Sequence, residues 1–340
     1  GDGYGSHDAG DGKNITVKIE GGTIEKAKGG DGYGSHDAGD GIHSDGELTI
    51  PDKATIVSAI GGNGDSRNSS SNAGHGIYSG GKLTIKGDIG TAQGGKGKTT
   101  AGHGIYSKGD LNISDNATIT NATGGASTDG YAGDGIHSDG KLTISGGTIG
   151  TTQGGTGKSG GAGIYSKDDL SIESGTIGSL GTDGKTPDTT TGALGGTSTA
   201  EAKGGNGIHS DGKISITSGN IRNAKGGNAT ADYKSGGSGI YCGDALTISG
   251  GTIGTAKGGD STAGTGGDGI RSDDSKFTIS GSTTGTAQLY TIGTAQGGNG
   301  TISGGKGIFG KTMEILAGTI IEKAIGGNST GTGEKDTDGF

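Results

Sequence analysis

Nine side chains able to stack on or hydrogen-bond a ligand recur at one place in a repeated phrase: His43, Tyr78, Tyr106, His137, Tyr165, His209, Tyr241, Arg271 and Phe309. Each follows a Gly-Ile dipeptide. In an extended strand such a residue points away from the side on which the Ile is buried. Parallel copies of the phrase would therefore set the nine in a single ladder with a spacing of about 4.8 Å. Flat rings in a line suit a polysaccharide, whose C–H-rich sugar faces pack on them while neighbouring polar groups bond its hydroxyls. Stacking of like residues also stabilises such an array with no ligand present, and the sequence alone leaves both readings open.

Carboxylates flank the ladder at Asp40, Asp45, Asp134, Asp139, Asp211, Asp268 and Asp273, with Asp31 and Asp37 nearby. Hard oxygen ligands of this kind could hold Ca²⁺ as a brace between stacked corners. Asp-Gly is equally an ordinary turn dipeptide. A second column, just before each opening Gly, reads Asp40, His75, His103, Asp134, Ala162, Asn206, Ser238, Asp268, Lys306. Its two adjacent imidazoles, His75 and His103, lack the third close ligand that zinc requires.

Catalysis needs a singular site, and the sequence offers periodic ones. Arg222 and Arg271 occupy ordinary repeat slots, and no nucleophile elbow, paired glycosidase carboxylates or phosphate loop stands out from the glycine background. We expect no enzyme activity and no required cofactor. Cys242 is the single cysteine and fills the Ser slot of G-I-Y-S, so no intrachain disulfide exists.

The ladder can form only if the chain stacks on itself. The phrase G-I-[H/Y]-S-x-G-x-L-T-I-x-G-G-T-I-G-x-A-x-G-G opens nine times, from Gly41 to Gly307, with a degenerate copy at Gly12. A period near 30 residues marks a solenoid, because one unit is too small to bury its own apolar side chains. From the opening Gly to the Ala of T-I-x-x-A the count is nearly constant, 18 from Gly41 to Ala59 and 17 from Gly207 to Ala224. The Gly/Ser/Thr-rich connection to the next opening varies, which assigns it to loops on one face.

Each unit carries three apolar pulses. Pairs two apart, such as Leu48/Ile50, Leu83/Ile85 and Leu142/Ile144, share one side of a strand with Thr on the other. Glycine corners between pulses complete one turn of a parallel β-helix. Helical repeats are excluded, since each interior Gly costs a helix about 1 kcal/mol relative to Ala. The expected fold is all-β: one solenoid over 1–340 with about ten turns, three short strands per turn, right-handed winding, and loop insertions at 178–201 and 281–291.

Glycine fills 87 of 340 positions and hydrophobic residues only 26%, so the core must be thin and regular rather than large. The net charge of −9, with three Arg, excludes nucleic acid as the natural partner. No apolar run spans a bilayer. Because neither terminus reads as a polar cap, the sequence is expected to be a segment of a longer array.

The D-G-I-H-S-D-G-x-L-T-I-S-G-G-T-I phrase at 134–149 resembles the bacterial carbohydrate-binding β-helix family of clostridial surface proteins, related to pectate-lyase-like folds. That resemblance implies a secreted or cell-surface right-handed β-helix that binds plant-type polysaccharide with calcium and needs no lyase activity. Expected partners are thus polysaccharide or neighbouring protomers. Two alternatives remain: a stalk or filament subunit pairing through exposed strand edges, and an ice-binding face built on Thr rows such as Thr49, Thr84 and Thr143.

Overall fold

The computed structural model describes residues 18–281 and 291–331, apart from 115, 183, 201 and 233. These form a parallel β-solenoid of nine turns, preceded by strand pieces Gly22–Ile24 and Ala27–Lys28. The tenth expected opening, at Gly12, and most of the 281–291 segment lie outside the described residues.

A middle turn shows the plan. Its opening strand is Ile136–Ser138, its middle strand Leu142–Ile144 and its long strand Thr148–Gln153. Each lies in register between equivalents one turn below and above: Ile136 pairs with Ile105 and Ile164, Leu142 with Leu111 and Leu170, Ile149 with Ile119 and Ile177. Opening and middle strands make up a sixteen-stranded sheet, joined where Ile270–Ile279 runs through both, and long strands make a twelve-stranded one.

The aliphatic pulses pile into one column. Ile136, Leu142, Ile144 and Ile149 are fully buried, as are their counterparts in nearly every turn. Ile is favoured because its branched side chain packs well on a pleated surface. Burial of each is worth about 1.5–3 kcal/mol. The Ser of G-I-x-S is buried too, with its hydroxyl donating to carbonyls of its own corner and of the turn below, as Ser107 does to Asp110 and Gly81. Cys242 substitutes there, its thiol 3.3 Å from the carbonyls of Gly212 and Ala245 and pushed up to about 11 by burial.

One core position breaks the rule. Where other turns place Ala59, Ala92, Ala122 or Ala224, one places Thr152, whose buried hydroxyl has no hydrogen-bond partner. An unmade buried hydrogen bond costs about 1–3 kcal/mol. Thr152→Val keeps the shape and removes that cost, so it should raise stability by about 1 kcal/mol in a denaturant titration.

The variable connections are not free loops. After each long strand comes a Gly-Gly pair, and before each opening strand another Gly, and these meet at a neck. Gly39 N–H donates to Gly30, Gly62 to Gly39, Gly74 to Gly62, Gly95 to Gly74, and the chain of bonds continues to Gly327, every link between glycines and 2.7–3.0 Å long. The neck is so narrow that a Cβ added to Gly125 would lie 1.8 Å from the Gly95 carbonyl oxygen. Beyond it each connection folds into a second, smaller lobe, stacked through bridges such as Ser198 to Ala229 and Ala229 to Ser261.

The segment expected as an insertion, 178–201, divides. Gly192–Leu194 is a core strand that completes the long-strand rung begun by Thr176–Ile177, so the inserted part ends at Thr191. Residues 179–191 fold over the outer face of the long-strand sheet, where Asn223 donates to the Thr189 and Thr191 carbonyls and an added Cβ on Gly254 would meet Pro187 at 2.7 Å. Sequence pattern alone hid the rung because Gly-Ala-Leu has no β-branched residue.

Candidate functional site

The opening strands set the predicted ladder in order. His43 pairs in register with Tyr78, then Tyr106, His137, Tyr165, His209, Tyr241, Arg271 and Phe309 follow, one per turn. Ring centroids along it are 4.5–5.4 Å apart, and Arg271 lies 4.9 Å over Phe309.

Its rings do not present their faces uniformly. His43 and Tyr78 are nearly coplanar stacks, 15° apart, so their facing surfaces are spent on each other. Edge-to-face contacts replace the stack in two places, around Tyr106, at 61° to Tyr78 and 79° to His137, and around His209, at 84° to Tyr165 and 78° to Tyr241.

The second column has one job performed by three residue types. Asp40 Oδ1 accepts the backbone N–H of His75, His75 Nδ1 accepts that of His103, His103 Nδ1 that of Asp134, and Asp134 Oδ1 that of Ala162. Asn206 and Asp268 do the same for Ser238 and Lys306. Burial pushes His75 down to about 3 and His103 well below the usual imidazole range, His103 further by the charge on His137. Both must stay unprotonated at Nδ1 to accept.

Ladder cations sit between carboxylates. His43 Nδ1 is 2.5 Å from Asp40 and its Nε2 is 3.0 Å from Asp45; the hydrogen bond to Asp40 lifts it to about 9. His137 is held likewise by Asp134 at 2.6 Å, and although burial opposes its charge the carboxylates prevail and raise it. In the next-to-last described turn, Arg271 places a permanent cation in the same slot, bonded to Asp268 and Asp273. The tyrosine hydroxyls are also committed: Tyr106 donates to Asp139, Tyr165 to Asp211 and Tyr241 to Asp273.

This accounting bears on metals. Asp40, Asp134 and Asp268 each spend one oxygen on the next turn's amide and the other on His43, His137 or Arg271. Ca²⁺ wants six to eight oxygens converging on one point. Carboxylates dealt out among separate turns, with cations between them, do not fit it. Among the described residues one group, His103, Asp134 and His137, brings ligand atoms within 4.8 Å of one another. The third partner that the sequence did not find for His103 comes from the neighbouring turn and column. Those atoms form a closed hydrogen-bond network, with the Asp134 amide on His103 Nδ1 and His137 Nδ1 on Asp134, so a metal would have to displace it.

Between the ladder and the second lobe runs a cleft enclosing about 550 Å³. One wall is Tyr165, His209 and Tyr241; the other is formed by Tyr131, Lys203 and Ser235 of the smaller lobe. Gly161, Gly205 and Gly267 of the neck lie at its base. It reaches from His103 to Arg271. No protein-family model, curated protein or solved structure matches this chain. The fold that the expected family likeness implies, a parallel β-solenoid, is the one this chain adopts. The second-lobe wall was absent from the sequence reading, because its residues sit in connections of irregular length. The recurring Gly-Gly pairs were the available signal.

No helix among the described residues is long and apolar enough to cross a membrane.

Proposed function

We propose that the protein is a non-catalytic, cell-surface adhesive solenoid that holds polysaccharide in the cleft between its two lobes. The observation that carries this reading is that the cleft runs beside the ladder, with Tyr165, His209 and Tyr241 as one wall and Tyr131 of the smaller lobe opposite. A trough of this volume lined by aromatic rings and a few polar groups is the usual form of a small-molecule or glycan site. The full ladder supplies stability along its length, and the ligand takes only this part. Carbohydrate binding and an extracellular location also agree with the family that the 134–149 phrase resembles. Pull-down on insoluble cellulose, xylan and pectin tests it: Tyr165→Ala with Tyr241→Ala should lose at least about tenfold in retention, as expected for truncating aromatic anchors. Equal retention of the double variant and the parent protein would reject the cleft as the binding surface.

A second reading is assembly into a stalk or filament through exposed strand edges. Negative-stain microscopy at high protein concentration distinguishes it; isolated short rods count against assembly. Ice binding loses ground, because Asn112 interrupts the Thr49–Thr84–Thr143 row and 179–191 covers part of the other flat face.

A further inference from the structure

We infer that the cleft takes a single, uncharged glycan strand lying parallel to the solenoid axis. This rests on the polysaccharide reading above and narrows it. The cleft is long and thin: it runs from the His103 turn to the Arg271 turn, five steps of about 4.8 Å, or roughly 24 Å. A strand laid along it can touch the ladder at each turn, with its outer side toward solvent.

Charge selects the chemical class. The carboxylates lining the cleft are Asp134, Asp211 and Asp268. Asp134 faces His137, whose charge the two neighbouring aspartates hold in place, and Asp268 faces Arg271. Asp211 takes the Tyr165 hydroxyl and lies opposite Lys203 in the lining. Asp139 and Asp273 hold the far sides of the same two cations, so five carboxylates adjoin three positive groups and the trough is weakly negative. A neutral chain takes hydrogen bonds and ring faces there, whereas an acidic one is repelled and must still be desolvated.

Calorimetric titration of the whole chain with linear neutral glucan, mannan and xylan oligosaccharides of two to eight units, and with oligogalacturonates, tests the inference. In the neutral series that binds, affinity should climb to about five units and then level off, since each unit advances about one turn. Added salt should leave the affinity of neutral chains unchanged. Ser235→Trp, which plugs the trough from the lobe wall, should reduce long chains to the affinity of short ones. Saturation at two units, or preference for the uronates with a steep salt dependence, would overturn the inference and leave polysaccharide binding standing. Failure of every chain to bind would overturn both.

Discussion

Gly125→Ala should abolish folding, or lower stability by more than about 4 kcal/mol, a loss that single substitutions seldom produce. The new methyl carbon would lie 1.8 Å from the Gly95 carbonyl oxygen and 2.6 Å from its carbon. Both belong to the backbone and cannot rotate away. Relief requires opening the neck, which breaks the bonds from Gly125 to Gly102 and from Gly133 to Gly125 and shifts the turns on either side. Gly81→Ala is the control, since its nearest contact is 3.1 Å and lies at an outer corner. It should cost about 1 kcal/mol or less. Chemical denaturation of the two variants side by side measures the difference; comparable midpoints would show that the neck is dispensable.

Stability should fall on both sides of a maximum near pH 6.5, for opposite reasons carried by two sets of histidines. His75 and His103 have folded values depressed below the free imidazole value of about 6.5. Their contribution is therefore complete above that value and is lost as pH falls from about 6.5 toward about 3, the value for His75, as protonation of Nδ1 removes the acceptor from the next turn's amide. His43 is raised to about 9, so its contribution is complete below about 6.5 and fades as pH rises through 9. Melting temperatures between pH 4 and pH 10 test the shape. His75→Asn should blunt the acid limb, because an amide oxygen accepts without titrating, as Asn206 does. His43→Arg should flatten the alkaline limb, because Arg271 already fills the equivalent slot between two carboxylates. A pH profile unchanged by either substitution would refute the assignment.

Much of the architecture was readable from residue spacing. Ile and Leu recur with period two inside short pulses, and side-chain alternation then fixes both the buried column and the ladder opposite it. The register His43–Tyr78–Tyr106–His137 follows from aligning the Gly-Ile dipeptides, and the strands pair in that order. Ring orientation was not readable, since 15° at His43–Tyr78 and 84° at Tyr165–His209 arise from the same phrase in different surroundings. Asp, His and Asn in the second column suggest three chemistries by type, but Oδ1 and Nδ1 lie at similar reach from the backbone and serve one amide. The neck escaped notice because glycine shows no periodicity of hydrophobicity, and what it permits is close approach of two backbones.

The column of acceptors and the glycine links share a polarity. In each, the earlier turn supplies the acceptor and the later one the N–H, as from Asp40 to His75 and from Gly39 to Gly62. The opening strands run the other way, with Gly41 and Ile42 donating to His75 and Gly76 of the following turn. Each turn therefore needs a neighbour on both sides to match its amides, the groups that proteins least often leave without an acceptor, whichever end the stack grows from.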